Sequence, residues 1–527
     1  MAASPLAAHN SEPSASARAA RLGRTLHVDC GSSATEFLCQ TVTARGDTKS
    51  RDDGNGGAGV DADVELYLRV WAAARAAAAL ATAEWATAAR DPLAEAIARG
   101  AAADRSAEGF DAAFEEVAGL LPDGASPENI GLGEEHRLLR TTLRDFAERR
   151  LGPRAGEIHR GDLDVPDDVI RGVAELGLFG LSVPEQYGGT LGERPDHVAM
   201  LIGTEELARA SLAAGGSLMT RPEILVRALL TAATEEQKQC WLPGIATGDL
   251  LVAVAVTEPD AGSDVAALRC RASRHDSGGW SITGTKLWCT FAAKAHLLMI
   301  LCRTGTVDSG HRGLSLFVAE KPSFAGHDFE VRQGHGGTLR GRAIPTLGYR
   351  GLHTFELALE DYRLPPEALI GEEGGGFYLQ MEGFSTGRLQ TAARAVGVMQ
   401  AAVRDAVAYT RSRVVFGRPV AEHGLARAML GRMAVRLHAS RQLSYWAARR
   451  LDEGAADAQV QASLAKLYAS RMAEYVTRDA TQLFGGMGYG EETDVSRYFV
   501  DARVLAIFEG AEEVLALRVI GRSLERR

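Results

Sequence analysis

Apolar positions along the 527-residue chain keep helical spacing, switch to strand spacing, and then return to helical spacing. From about Val64 to Leu121 alanine dominates a helical pattern around Val64-Glu65-Leu66-Tyr67-Leu68, Trp71 and Trp85. Alanine favours helix, yet an alanine stripe buries little area per residue and needs a partner surface. The block is expected to dock on the main body or on a neighbouring subunit; a disordered or solubilising extension is the competing reading. Pro122-Asp123-Gly124 punctuates the chain. Beyond it Val169, Ile170, Val173 and Leu176 share one helix face, opened by Pro166-Asp167-Asp168 and closed near Gly177. Helical pattern continues to about Thr247.

Leu250 to Val256 then reads as an apolar, β-branched strand. Trp280 to Thr283, Leu297 to Leu301 and Leu314 to Val318 read as further strands, and Phe355, Leu357 and Leu359 alternate with period two. From Tyr378 the helical period returns, predicting helices around 378–412, 422–452, 456–484 and 502–524 with short connections. The expected organisation is α+β and multidomain. Residues 1–60 form a low-complexity flexible tail, 61–128 an extra helical extension, 129–249 an α domain, 250–365 a β domain and 366–527 a C-terminal four-helix bundle.

Composition changes this picture little. The chain is 46% hydrophobic and 24% charged, as globular proteins are, and its formal net charge of -10 argues against nucleic acid as a partner. No apolar run reaches the roughly 18 residues that a membrane span needs. The six cysteines have no CxxC or metal-ligand spacing, so reduced thiols in the cytoplasm are expected, and no metal. The acid-poor, Arg- and Ser-bearing stretch before Asp29 faintly resembles a transit peptide, but a disordered tail is the preferred reading.

Three segments carry candidate chemistry. Val256-Thr257-Glu258-Pro259-Asp260-Ala261-Gly262-Ser263-Asp264 leaves a strand with hydroxyls and backbone N–H groups that suit an anion or a heteroaromatic edge. Gly284-Thr285-Lys286-Leu287-Trp288-Cys289-Thr290 sets an indole two residues from a hydroxyl, on one face if the segment is a strand. Ile507-Phe508-Glu509-Gly510-Ala511 places one carboxylate in an apolar run, a setting that raises a carboxyl pKa toward the range of a general base. The Gly510 beside it lets the backbone approach a ligand closely. Taken singly, each is more often a turn, a core tryptophan or a helix end. Gly374 to Gly376 and Gly485 to Gly490 lack the strand–turn–helix context of a dinucleotide fingerprint.

In this order the segments resemble the acyl-CoA dehydrogenase family, flavoproteins that desaturate acyl-CoA thioesters. The likeness runs from about Leu132 to the C-terminus. It includes Gly348-Tyr349-Arg350-Gly351, Arg413-Val414-Val415-Phe416-Gly417, Gln482-Leu483-Phe484-Gly485-Gly486 and Asp501-Ala502-Arg503. Ser217-Leu218-Met219-Thr220-Arg221, the run from Arg388 through Arg394 to Gly397, and Ala511 are similar to the branch of that family that converts (2S)-methylsuccinyl-CoA to mesaconyl-CoA in the ethylmalonyl-CoA pathway. That branch also carries an extra helical N-terminal block.

The resemblance implies an N-terminal helical domain, a middle β domain and a C-terminal four-helix bundle, with FAD between the last two. Thr257 and Ser263 would contact the flavin or its phosphates, Trp288 would lie against the isoalloxazine, and Thr290 would bond near the hydride-accepting nitrogen. Arg413, Phe416, Gln482, Gly485 and Gly486 would serve the adenine and pyrophosphate end, partly from a neighbouring subunit. Glu509 would take the α proton, its backbone N–H among the donors to the thioester oxygen, with Gly510 beside the acyl group. Arg221 is the candidate partner of a substrate carboxylate, against a structural role or a surface ion pair; Arg388 is a structural or CoA-side alternative. The resemblance further implies an acyl-CoA substrate, an electron-transfer flavoprotein as electron acceptor, and a homodimer or homotetramer. Another short or branched acyl-CoA, a carrier-bound acyl group, or an idle flavoprotein scaffold are the competing readings. Gly424, Val500 and Thr493-Asp494 depart from common family residues and put individual FAD contacts in doubt.

Overall fold

The computed structural model describes residues 58–89, 91–103, 117, 129, 132–192, 194–276 and 278–525, so the expected tail lies almost wholly outside the described residues. Two helices come first, α1 (Ala58–Ala89) and α2 (Pro92–Ala103). Val70, Ala73, Ala74, Ala77, Ala78, Ala81 and Trp85 form a buried stripe at helical spacing along α1. Small side chains let α1 approach the body closely, and Trp85 stacks on His438 with ring centroids 6.0 Å apart.

The helical layer that follows comprises α3 (Glu134–Phe146), α4 (Gly152–Gly161), α5 (Asp167–Glu175), α6 (His197–Ala210), α7 (Thr220–Ala232) and α8 (Glu235–Thr247). Reciprocal bonds between Thr234 and Gln237 cap the start of α8, and Gly248 at φ +76 ends it.

Nine strands build one sheet: β1 (Val252–Ala255), β2 (Arg271–Arg274), β3 (Trp280–Thr290), β4 (Leu297–Arg303), β5 (Leu314–Glu320), β6 (Asp328–Arg332), β7 (Thr338–Ala343), β8 (Thr354–Leu364) and β9 (Leu369–Ile370). Their order is β6-β7-β8-β3-β2-β4-β5-β9, with β1 parallel to β4. Alternation along β4 feeds two cores. Leu297, Met299 and Leu301 pack with Leu225, Leu229 and Leu242 of the helical layer, while Leu298, Ile300 and Cys302 pack with Trp280, Phe317 and Phe355. Phe355, Leu357 and Leu359 are buried, as their period predicts.

The C-terminal helices are α9 (Gly376–Ser412), α10 (Gly424–Asp452), α11 (Ala458–Phe484) and α12 (Asp494–Ala502). The helix expected over 502–524 is not continuous. After α12 the chain makes a 3-10 turn through Arg503–Ala506, and helical structure resumes at Glu512. Glu509 at φ +54 and Gly510 at φ +101 cannot continue a right-handed helix, which is why it breaks there.

Candidate active site

The break in the last helix presents Glu509. Its side chain lies over Gly387 in the early part of α9, where an added Cβ would meet Glu509 Oε2 at 3.0 Å and the Ile224 methyl at 3.7 Å. Oε2 is buried and has no hydrogen-bond partner among the described residues. An acceptor in that state is free to take a proton from a group brought against it. Beneath the turn, Lys466 on α11 donates to the Gly510 carbonyl at 2.6 Å. Burial pulls Lys466 down to about 7, against the opposing charges of Glu509 and Glu512.

Around this carboxylate stands an excess of cations. Arg394 on α9 is fully buried and donates to Ser217 Oγ (3.1 Å) and Thr391 Oγ1 (2.6 Å), with its guanidinium 4.6 Å from the Phe508 ring centroid. Arg221 on α7 donates to the Ser217 carbonyl (2.8 Å) and to Tyr349 Oη (3.1 Å), and Tyr349 donates in turn to Ser217 Oγ (2.7 Å). Burial would raise the Tyr349 phenol, but Arg221 and Arg394 outweigh it and hold the phenol below its ordinary value. Arg388 is buried and donates to Ser463 Oγ at 3.3 Å. Burial works against the charge of Arg388 and of Arg394, while Glu509 supports both. Arg221, therefore, is no surface ion pair: it turns inward, onto a tyrosine shared with a second guanidinium.

The β-strand segments meet as the sequence order predicts, through an anchor that the sequence did not single out. Lys286 on β3 is buried and donates to Glu258 Oε1 (2.8 Å) and the Val256 carbonyl (2.9 Å). Glu258 also accepts from the N–H groups of Arg269 and Cys270, and Leu287 N–H bonds the Thr257 carbonyl at 2.8 Å. The half-buried Thr257 is thereby fixed against β3, and Ser263 lies exposed on the loop that follows. The expected one-face relation of Trp288 and Thr290 does not follow from alternation. A register shift between Lys286 and Cys289 and φ +61 at Trp288 turn the indole outward, 55% exposed, while Thr290 is buried and bonds Thr354 Oγ1 at 3.0 Å.

The remaining predicted residues gather elsewhere, at the far ends of α9 and α11. Arg413 closes α9, Phe416 sits at φ +50 in the tight hairpin that follows, and its ring is 97% exposed. Gln482 ends α11, Gly485 holds φ +60, and Gly486 follows on the surface. Tyr409 stacks on Phe484 with centroids 4.0 Å apart, so the two helix ends form one patch. At about 1.5 Å per residue, Arg413 lies about 39 Å along α9 from Gly387. The two groups of residues thus belong to different places on the same chain.

Family models for the acyl-CoA dehydrogenase N-terminal, middle and C-terminal domains match residues 133–249, 253–362 and 374–525. The chain belongs to the acyl-CoA dehydrogenase family. It is 39% identical over 395 residues to (2S)-methylsuccinyl-CoA dehydrogenase of Cereibacter sphaeroides, covering 75% of this chain and 70% of that one. Butyryl-CoA dehydrogenase from Megasphaera elsdenii superposes with a TM-score of 0.69 at 30% identity, over 75% of this chain and 99% of that one. A glutaryl-CoA dehydrogenase from Mycobacterium smegmatis in complex with FADH2 gives 0.67 at 26% identity, over 75% and 96%.

The family is FAD-dependent, and the residues of this acyl-CoA dehydrogenase fit that cofactor. The outward indole of Trp288 offers a stacking face to a ring ligand. The hairpin with Arg413 and the glycines after α11 offer a guanidinium and close main-chain approach to a pyrophosphate. Sequence reading missed Lys466, Lys286 and Arg394 as participants. Arg394 stood within a quoted motif, seven residues after Gly387, but only the fold sets it beside Arg221. Among the described residues no helix is long and apolar enough to cross a membrane.

Proposed function

We propose that this enzyme dehydrogenates an acyl-CoA whose acyl group carries a second carboxylate, (2S)-methylsuccinyl-CoA to mesaconyl-CoA being the best-supported case. One observation carries the reading: Arg388 and Arg394 stand within the electrostatic reach of Glu509, Arg221 joins Arg394 through Ser217 and Tyr349, and none of the three arginines makes an ion pair with any described carboxylate. Buried unpaired cations are costly, and the free carboxylate of such an acyl group would pair with the arginines. The likeness to the Cereibacter sphaeroides enzyme points the same way.

Glu509 Oε2 removes the α proton of the thioester. The backbone N–H of Glu509, steadied by the grip of Lys466 on Gly510, is among the donors to the thioester oxygen as charge gathers there. Arg221 and Arg394 clasp the distal carboxylate and fix the α carbon against Glu509. Bound FAD supplies the acceptor for the β hydrogen. Thr257, Ser263, Trp288 and Thr290 hold its flavin end, and Arg413, Phe416, Gln482, Gly485 and Gly486 of a second copy hold its other end. The 39 Å separation noted above supports this homo-oligomer. An electron-transfer flavoprotein as acceptor and a cytoplasmic location complete the reading.

Anaerobic titration of the purified flavoprotein tests it. Methylsuccinyl-CoA should bleach the flavin far better than butyryl- or isobutyryl-CoA; the reverse order would discard the dicarboxylyl substrate and leave a dehydrogenase of short or branched acyl groups.

A further inference from the structure

We propose that Asp162, His327 and His353 form a divalent-cation site of the zinc type, which ties the helical layer to the sheet. Asp162 follows α4, His327 directly precedes β6, and His353 directly precedes β8. His327 Nε2 lies 3.2 Å from Asp162 Oδ2, and His353 Nδ1 lies 3.6 Å from Asp162 Oδ1. One donor atom from each residue falls within 4.8 Å of the others. Tetrahedral zinc, with bonds of about 2.0–2.2 Å, needs donors roughly 3.3–3.5 Å apart, so a small contraction closes the set.

Two further observations distinguish this cluster from a chance meeting of polar side chains. The first is outer support for the buried ligand. The far nitrogen of His353, Nε2, faces Asp164 Oδ1 at 3.2 Å without an aligned hydrogen bond, and its side chain is 3% exposed. Asp164 is itself fixed by the Gly326 N–H at 2.7 Å, one residue before His327. A carboxylate behind a ligating imidazole is the usual way its tautomer and direction are set. The second is charge. Asp162 and Asp164 make no ion pair with a lysine or arginine among the described residues, and Lys294, whose charge Asp164 feels, is paired with Asp167. Two carboxylates facing two imidazoles match a divalent cation. The outer side is open, since the His327 and Asp162 side chains are 50% and 37% exposed, which leaves room for water as a fourth ligand. Thr354, next to His353, bonds Thr290, so the ion would also steady the strand end beneath the flavin site.

The alternative is a pair of proton-dependent His–Asp contacts with no affinity for metal. The test uses the full-length holoenzyme, stripped with a chelator and titrated with Zn²⁺ in competition with a chromophoric chelator. Wild type should bind one more equivalent than H327N or D162N, and Zn²⁺ should raise its thermal midpoint but not theirs. Asp164→Asn should weaken that equivalent about 10–100-fold without abolishing it. Equal zinc stoichiometry in wild type and H327N, whether both bind or neither does, overturns the proposal. Because His327 is exposed, H327N tests the site even if substitutions at His353 fail to fold.

Discussion

Replacing Arg394 with methionine removes the most deeply buried guanidinium of the site while keeping a long, unbranched side chain. In the free enzyme Arg394 bonds the hydroxyls of Ser217 and Thr391 and meets no described carboxylate closely enough for an ion pair. If it clasps the substrate's distal carboxylate, its loss removes a charge-assisted bond worth roughly 1.5–3 kcal/mol in a buried setting. Arg221 remains, so the full cost of an orphaned buried charge, about 3–5 kcal/mol, is not reached. A loss near 3 kcal/mol is on the order of a 100-fold fall in kcat/KM for methylsuccinyl-CoA. Butyryl-CoA, which lacks that carboxylate, should change by less than about threefold on the same argument. Stability should move the other way. An unpaired buried cation exchanged for an apolar side chain is often neutral or stabilising, so the thermal midpoint should hold or rise. Anaerobic stopped-flow bleaching with both esters, beside thermal unfolding of the holoenzyme, reads all three quantities. Equal losses for the two esters, or a drop of several degrees in midpoint, would make Arg394 a structural brace and refute the reasoning.

Glu509→Gln keeps the shape over Gly387 but removes the base, so FAD content should stay normal while flavin reduction by substrate slows at least 10²–10⁴-fold, roughly the span of general-base catalysis; reduction at the wild-type rate would overturn the assignment of the base. Lys466 has its folded-state pKa lowered to about 7 from 10.5, so between those values the unfolded chain binds more protons and folding stability rises with pH. In Lys466→Met that contribution, at most about 1.4 kcal/mol per pH unit, should vanish, and the wild-type minus variant difference in chemical-denaturation stability should grow from pH 7 to 10. A difference flat across that range would show that Lys466 is not neutralised by folding.

How much of this was legible in the sequence depended on whether a feature is local. The fold class was readable because period carries it: Phe355, Leu357 and Leu359 alternate into one core, and the α1 stripe from Val70 to Trp85 repeats at helical spacing. The last helix was misread because apolar spacing persists through Leu505, Ile507 and Phe508, while the decisive fact is the positive φ of Glu509, which spacing does not encode. Trp288 and Thr290 were paired by alternation, and a bulge undid it. The cation cluster was the least legible. Arg221, Arg394 and Lys466 lie on three helices, and a guanidinium's meaning depends on which carboxylates are absent around it. Buried arginines elsewhere in the protein show the contrast: Arg441 is fully buried and bonds Glu205 at 2.6 Å, a closed internal pair that asks for nothing more. Arg394 is as deeply buried and has no such partner among the described residues. The same residue type, equally inaccessible, closes a pair in one place and meets no described carboxylate in the other, and only the neighbouring charges separate the two.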